Sequence, residues 1–264
     1  MTAYTTRETR DRTRLAEFFR SDPILYAYKL GDLDPFFFDN TRWWIAERDG
    51  AIAAAALLYT AFATPVIQAL TDNQAQAGLW RELADTLPDG AHTHYRATHQ
   101  EAIHERWRID PIGLMHKMRW TGKPRASAAA PDTAAVKTLT PEDNAAIQRL
   151  QARAYPGSYF DRRLLEPGLC VGVFDGQRLL SFGACHVFSL EYRIAALGAI
   201  MTDPDFRGRG LAAAITQSLL ERMRAAGVNV TLNVHSENSA AIHLYEKLGF
   251  VKHCEYREAT LWKM

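Results

Sequence analysis

Valine and leucine alternate with asparagine and threonine over residues 228–234. This period of two predicts a strand with one buried face and one polar face that is able to meet a ligand. On either side, apolar residues recur with the spacing of helices, over residues 210–226 and 238–248. Each predicted helix ends at a glycine, Gly227 or Gly249, a common way for a helix to stop.

The preceding segment predicts a helix start and several strands. Thr140, Pro141 and the two acids after them are typical of a helix N-terminus, with threonine as the cap and proline in the first turn. A short strand is predicted before this start, over residues 135–139. After it the pattern predicts a second short helix and three strands, over residues 160–165, 170–174, 178–190 and 192–202.

The first half of the chain has the same coarse order of elements. Asp49 and Gly50 separate two apolar runs and predict a hairpin turn. The first half is therefore expected to be α/β. Its strands are predicted around residues 43–45, 52–60, 65–70, 92–97 and 115–120, and its helices over residues 12–20, 73–87 and 99–108.

Residues 121–134 predict a linker between two domains. The segment has two prolines, many small residues and no large apolar side chain, so it has nothing to bury. A chain of 264 residues also exceeds the usual size of one domain. We therefore expect domains over residues 1–120 and 135–264.

The composition indicates a globular protein and excludes several classes of partner. Hydrophobic residues make up 47% of the chain and charged residues 23%. Basic and acidic residues nearly balance in each half, so no nucleic-acid partner is expected. The N-terminus lacks the apolar run of a signal peptide, and the longest apolar run, residues 51–59, is too short to span a bilayer. We expect a cytoplasmic protein with no membrane partner.

The three cysteines also indicate a cytoplasmic protein. They are an odd number, and none of them forms a C-x-x-C pair. This pattern is typical of a protein from a reducing compartment and argues against a disulfide framework or a zinc site.

Glycines and arginines are concentrated where the third long strand gives way to a helix. Glycine lets the backbone approach a ligand, and a helix N-terminus presents unsatisfied N–H groups, so the segment is a candidate phosphate site. Its spacing matches neither a Rossmann turn nor a P-loop. The two glycines by themselves are equally explained by a tight strand-to-helix turn. The candidate residues are Arg207, Gly208, Arg209, Gly210, Leu211 and Ala212.

Two motifs in the second half resemble those of a known family. Arg207, Gly210 and Ala212 follow the Arg-x-x-Gly-x-Ala pattern of the pyrophosphate loop in the GNAT superfamily of N-acetyltransferases. Residues 238–250 resemble the second signature of that family, an N-x-x-A helix ending in Y-x-K-x-G-F. The resemblance covers residues 135–264 and is nearest to the FR47-like group, which includes relatives of glycine N-acyltransferase.

In the first half, the strand at residues 66–70 leads into Thr-Asp-Asn-Gln-Ala-Gln-Ala-Gly instead of such a loop. We infer tandem GNAT-like domains, of which the N-terminal one is degenerate and has lost its cofactor site. The resemblance implies a mixed, mostly antiparallel sheet flanked by helices in an α/β (α+β) fold.

The resemblance also implies a cofactor and a way to bind it. Acetyl-CoA or coenzyme A is expected as the co-substrate, with no metal. The fourth strand of the domain and the strand at 228–234 would splay apart around it. Main-chain groups of Ile200, Met201 and Thr202 would bind the pantetheine arm, the 207–212 loop the pyrophosphate, and Asn238 the arm from the opposite side.

Catalytic roles follow from the same resemblance. Tyr245 matches the residue that protonates the departing sulfur, although Ala241, Leu244, Tyr245 and Leu248 also form an apolar helical stripe in which tyrosine is a core residue. The N–H group of Met201 is the candidate oxyanion donor.

A general base is harder to assign. Many relatives carry glutamate where this chain has Ala196, so no side-chain base is expected at that position. Glu191 and His186 are the alternatives, although Glu191 is more simply a surface carboxylate and His186 a partly buried histidine.

Two further groups of residues have open interpretations. Trp43, Trp44 and the phenylalanines at 36–38 line an acceptor pocket or pack between domains. Four histidines are close in sequence, but strand and helix periodicity scatters them and no carboxylate spacing accompanies them, so no metal site is expected. They are His92, His94, His99 and His104.

These observations favour an N-acyltransferase. It is expected to move an acetyl or short acyl group from acyl-CoA to the primary amine of a small molecule or amino acid, by direct attack in a ternary complex. The partner is then a small-molecule amine, and the protein a monomer or homodimer. The alternatives are a CoA-binding module with a sensing or scaffolding role, and a structural protein that binds no CoA.

Overall fold

The computed structural model describes residues 4–123, 135–158 and 160–264. The chain divides into two compact units. The first comprises Met1–Lys117, His235–Glu237 and His253–Met264, and the second comprises Met118–Val234 and Asn238–Lys252. This grouping differs from the expected domains in the C-terminal segment, because His253–Met264 belongs to the first unit. Of the expected linker, residues 124–134 lie outside the described residues.

The strands of the described residues alternate with short helices. The strands are β1 (Thr5–Thr9), β2 (Thr41–Arg48), β3 (Ala51–Tyr59), β4 (Val66–Ala69), β5 (Ala91–Tyr95), β6 (Trp107–Trp120), β7 (Lys137–Thr138), β8 (Cys170–Asp175), β9 (Arg178–Ser189), β10 (Ile194–Thr202), β11 (Asn229–His235) and β12 (Phe250–Lys263). The α-helices are α1 (Arg12–Phe19), α2 (Ala27–Gly31), α3 (Pro35–Phe38), α4 (Gln74–Glu82), α5 (Gln100–His104), α6 (Asn144–Ala154), α7 (Leu211–Ala225) and α8 (Ser239–Lys247).

In the first unit the strands follow the order β1-β2-β3-β4-β5-β12-β6. The neighbours β1 to β4 are antiparallel, β4 and β5 are parallel, and β5 and β12 are antiparallel. Helix α4 packs on β2 and β3. Trp44, Trp80 and Trp107 fill one core cluster of this unit. Trp43 is also fully buried, so the two tryptophans of β2 are core residues rather than the lining of a pocket.

In the second unit the strands follow the order β11-β10-β9-β8-β7. Strands β7 to β10 are antiparallel to their neighbours, and β10 and β11 are parallel. Helices α6 and α7 both pack on β9 and β10. The predicted α/β fold with a mixed, mostly antiparallel sheet is therefore confirmed.

The predicted helix start at Thr140 is present. The N–H group of Thr140 donates to the Asp143 carboxylate over 2.9 Å, and a 3-10 turn at Pro141–Asp143 leads into α6. The predicted helix over residues 160–165 is a shorter 3-10 turn, Arg162–Leu165. Helices α4 and α5 are also shorter than the sequence predicted. Turns follow both helices, and Trp107, predicted to be helical, begins strand β6.

Several elements lacked a sequence signal. Strand β1 is an almost entirely polar strand, and β12 buries apolar side chains only at irregular intervals, so neither has the expected period of two. The helices α2 and α3 are only five and four residues long. No helix among the described residues is long and apolar enough to cross a membrane.

Candidate functional site

Strands β10 and β11 of the second unit separate partway along their length. They pair in parallel from Ile194 and Asn229 to Leu197 and Leu232, whereas the pairing of β10 with β9 continues to Thr202. The ladder between β10 and β9 is irregular between Gly198 and Met201, where Ala199 has a φ of 50°. Such a bulge bends a strand away from its neighbour. A gap between main-chain segments therefore opens beside Gly198, as the resemblance implied.

The end of β10 is anchored from β9. The hydroxyl of Ser181 donates to the carbonyl of Met201 over 3.0 Å and lies 3.0 Å from the hydroxyl of Thr202. Ser181 and Met201 are buried, while Ile200 and Thr202 are half-buried. Ser181 was not singled out from the sequence, since a lone serine in a strand carries no local signal.

A buried carboxylate holds the loop that follows β10. Asp203 accepts hydrogen bonds from Arg178 at 2.7 Å, from Arg153 at 3.3 Å and from the N–H group of Asp205 at 3.2 Å. Burial of Asp203 opposes its ionisation, but the bonds from Arg178 and Arg153 outweigh burial and lower its pKa. These bonds stabilise a 3-10 turn, Pro204–Phe206, immediately before the glycines.

The glycine loop is open and its conformation requires glycine. Gly208 and Gly210 have φ of +78° and +79°, and a side chain built on either would meet no atom within 4 Å. The N–H group of Ala214 donates to the carbonyl of Gly210, so the N–H groups of Leu211 to Ala213 precede the first intrahelical bond. Helix α7 has 15 residues, and its N-terminus directly follows these two glycines. The loop has the geometry of an anion site.

The two arginines of the loop are exposed, and each also contacts a neighbouring part of the protein. Arg207 donates to the carbonyls of Thr202 and Ala154, each over 3.4 Å. The guanidinium of Arg209 lies 4.7 Å from the centre of the Phe206 ring. Both positive charges therefore lie beside the glycines.

Asn238 begins the second signature helix. Its side-chain oxygen accepts a hydrogen bond from the N–H group of Ala241 over 3.1 Å, which caps α8. The side-chain oxygen is thus used within the helix. The side-chain nitrogen of Asn238 is the group that remains to meet a ligand.

Tyr245 is 7% exposed and packs edge-on against Phe250, with ring centres 5.8 Å apart. Burial raises the pKa of Tyr245 to about 12. Among the described residues its hydroxyl has no hydrogen-bond partner, so it is a neutral phenol with an uncommitted proton. Leu248 of the same stripe is buried too, and both interpretations of Tyr245 fit this position.

The two candidate bases lie in different places. Glu191 is exposed in the turn before β10, and Met201 is the eighth residue of that strand, roughly 20 Å further along at the usual rise. This separation argues against Glu191 as a base beside Met201. The ring of His186 lies instead against Gly198, at the point where β10 leaves β11. Burial lowers the pKa of His186 to about 4, so the imidazole is neutral.

Ala196 and Thr231 are neighbours on the paired parts of β10 and β11. Ala196 is fully buried between Val187 and Thr231, and no carboxylate occupies that position. Thr231 is fully buried as well, and its hydroxyl donates to the carbonyl of Met118 over 2.7 Å. The prediction that Thr231 lies on a ligand-facing side of β11 is therefore wrong, because the neighbouring backbone uses its hydroxyl.

Comparisons with known proteins show which family this chain resembles. Residues 136–250 match the model of the acetyltransferase (GNAT) family. The chain is 30% identical over 120 residues to a ribosomal protein bS18-alanine N-acetyltransferase of Salmonella typhimurium, covering 44% of this chain and 79% of that protein. It is 32% identical over 129 residues to mycothiol acetyltransferase of Rhodococcus jostii, covering 41% of this chain and 42% of that protein.

Solved structures show the same fold over nearly the whole chain. A Drosophila protein superposes with a TM-score of 0.73 at 15% identity, covering 97% of this chain and 98% of the other. A tandem GNAT protein from the clavulanic acid biosynthesis pathway has a TM-score of 0.56 at 12% identity and covers 98% of both chains.

Proposed function

Because the chain belongs to the GNAT family of acetyltransferases, we propose that its second unit binds acetyl-coenzyme A and transfers the acetyl group to a primary amine. One observation carries the proposal. Two left-handed glycines, Gly208 and Gly210, open an anion site at the start of a 15-residue helix, directly after the strand that leaves β11. A phosphate-bearing ligand with a long, hydrogen-bonding arm fits that combination.

Different residues of the site bind different parts of the co-substrate. The N–H groups of the 207–212 loop bind the pyrophosphate, with added charge from Arg207 and Arg209. Main-chain groups of Ile200, Met201 and Thr202 bind the pantetheine arm, and the side-chain nitrogen of Asn238 binds it from the opposite side. Side chains at 208 and 210 would fill the space in which the phosphates lie.

Transfer follows by direct attack in a ternary complex. The amine nitrogen forms a bond to the thioester carbonyl carbon, and the carbon–sulfur bond breaks. The N–H group of Met201 stabilises the oxyanion, and the Tyr245 hydroxyl gives its proton to the departing thiolate. Because Ala196 offers no carboxylate and Glu191 lies too far along the chain, water takes the proton from the amine.

The acceptor is a small-molecule amine or amino acid. Near-neutral charge in both halves disfavours a strongly charged polymer. A protein N-terminus is the second candidate, favoured by the similarity to the Salmonella typhimurium enzyme, whose name specifies a ribosomal-protein alanine. The match to mycothiol acetyltransferase covers about two fifths of the length of that protein.

The first unit is proposed to be a GNAT-like domain without a cofactor site, and the second unit to be FR47-like. In the first unit β4 and β5 stay paired from Val66 and His92 to Ala69 and Tyr95. Helix α4 begins at Gln74, and the side chain of the preceding Asn73 caps it by accepting a hydrogen bond from the N–H group of Gln76. These features support the loss of a CoA site there.

Acetyl-CoA turnover against a panel of amines, amino acids and N-terminal peptides tests the proposal. Free-thiol release with at least one acceptor is expected, together with a higher melting temperature in CoA. A rise in melting temperature without thiol release on any acceptor would support the non-catalytic CoA-binding alternative. No effect of CoA on melting would support a structural protein and overturn the proposal.

A further inference from the structure

Three metal-ligating side chains meet inside the first unit. His92 and His94 lie two residues apart on β5 and therefore point to the same face, so the expectation that periodicity scatters the histidines is wrong for this pair. Glu258 lies opposite His94 on β12. The Nε2 atom of His94 is 3.3 Å from Oε1 of Glu258, and that of His92 is 3.6 Å from Oε2. The ligand atoms of all three residues lie within 4.8 Å of one another.

The two histidine–carboxylate separations, 3.3 and 3.6 Å, are close to those between neighbouring ligands of one metal ion. With metal–ligand bonds of about 2.1 Å, neighbouring ligands of a tetrahedral ion are about 3.4 Å apart. Two imidazoles and one carboxylate leave a fourth position for water. The nitrogen ligands favour a first-row transition ion such as Zn²⁺ over Mg²⁺ or Ca²⁺, which prefer oxygen.

We propose that His92, His94 and Glu258 form a binding site for a divalent transition-metal ion that ties β5 to β12. The site is separate from acetyl transfer and does not depend on it. All three side chains are largely buried, with exposed fractions of 6%, 10% and 15%. An ion held there links two strands that are distant in sequence but neighbours in the same unit.

The surroundings of the cluster support ligation. Tyr256 is buried and donates a hydrogen bond to Oε1 of Glu258 over 2.7 Å, which orients the carboxylate.

The positive charge of Lys117 opposes the binding of a cation at this cluster. Its ammonium lies 5.6 Å from the centre of the Tyr256 ring and 5.1 Å from that of Tyr28, and it is buried. A positive charge so near disfavours a cation. Lys117→Met therefore leaves the three ligands in place while removing this repulsion, and it should tighten metal binding.

Zn²⁺ binding to metal-stripped full-length protein, measured by competition with a chromophoric chelator, tests the site. One equivalent is expected to bind and to raise the melting temperature by at least about 5 °C at a hundredfold excess over Kd. His94→Gln and Glu258→Gln are expected to weaken binding by about 100-fold or more, and Tyr256→Phe by about 10- to 100-fold. Lys117→Met should lower Kd.

His253→Gln is the matched control, because His253 also contacts a carboxylate, that of Asp22, at 3.0 Å outside the cluster. Its affinity for Zn²⁺ should equal that of the wild type. If a ligand variant fails to fold, Tyr256→Phe and Lys117→Met still test the site, since both keep the ligands. No Zn²⁺ binding, or binding that neither ligand variant weakens, would overturn the proposal.

Cobalt substitution identifies the ligands without reference to activity. Co²⁺ held by two imidazoles and a carboxylate shows weak visible bands and no strong near-ultraviolet thiolate band. A thiolate band would place the ion on a cysteine such as Cys254 of β12 and would also overturn the assignment.

Discussion

The imidazole of His186 lies against the α-carbon of Gly198, so closely that a β-carbon on Gly198 would come within 2.5 Å of two ring atoms. Gly198 is therefore glycine because of a neighbouring side chain and not because of its own backbone angles. The contact lies beside the point where the pairing of β10 with β11 ends.

Gly198→Ala should widen or distort the gap. Overpacking of this kind costs about 1–3 kcal/mol, and acetyl-CoA affinity should fall along with stability. Denaturant unfolding and CoA titration measure both effects. Gly78→Ala is the control, because a β-carbon at Gly78 meets nothing within 4 Å and the residue lies in α4.

The same contact predicts a rescue. His186→Ala in the Gly198→Ala background removes the ring that the new methyl meets, so the two substitutions should be strongly non-additive. A double variant no more stable than the sum of the single ones would show that His186 does not restrict residue 198.

Gly210→Glu should abolish coenzyme A binding. The substitution places a side chain and a negative charge where the pyrophosphate is proposed to lie, at a φ of +79°. Gly176→Glu is matched in charge and in strain, since Gly176 has a φ of +55° and open space around it, but lies in the β8–β9 turn. Calorimetric titration should find CoA binding in the second variant alone; binding in both would mean that the loop is not the phosphate site.

Tyr245→Phe should lower kcat and leave the fold intact. The variant keeps the ring contact with Phe250 and removes a hydroxyl that bonds to none of the described residues. Loss of a proton donor lowers kcat by about 10²- to 10⁴-fold, while Kd for acetyl-CoA should stay the same.

Tyr26→Phe provides the contrast to Tyr245→Phe. It removes the 3.2 Å hydrogen bond from Tyr26 to Thr71 in the first unit and should cost about 1 kcal/mol of stability without changing kcat. An unchanged kcat in Tyr245→Phe would make Tyr245 a core residue.

Asp203→Asn should destabilise the second unit at neutral pH. The substitution weakens the bonds from Arg178 and Arg153 to a buried group, at a cost of about 1–3 kcal/mol. The pKa of Asp203 is lowered in the folded protein, so this stabilisation is present above its unfolded pKa of about 3.9 and is lost as pH falls through the folded value.

Urea unfolding of wild type and Asp203→Asn at pH 7 and in acid should therefore give free energies that converge at low pH. Asp205→Asn is the control, because Asp205 is 63% exposed and its ion pairs contribute little. A difference that persists unchanged in acid would mean that the Asp203 charge is not what stabilises the loop.

Local signals accounted for much of the fold and for the binding loop. The helix start at Thr140, the hairpin at Asp49 and the glycines at 208 and 210 depend on a few adjacent residues, which is why the sequence predicts them. The almost entirely polar β1 and the irregular β12 were not predictable, because their side chains show no periodicity that a local pattern detects.

The sequence by itself therefore determined the family, the glycine loop at residues 207–212 and the order of most elements, since backbone angles and helix ends are local properties. Tertiary structure alone decided which side chains meet. It placed His186 against Gly198, buried Thr231 under the Met118 carbonyl, and brought Glu258 to His92 and His94. Each of these outcomes depends on the registers of paired strands, and a register is set by the packing of the whole sheet rather than by neighbouring residues.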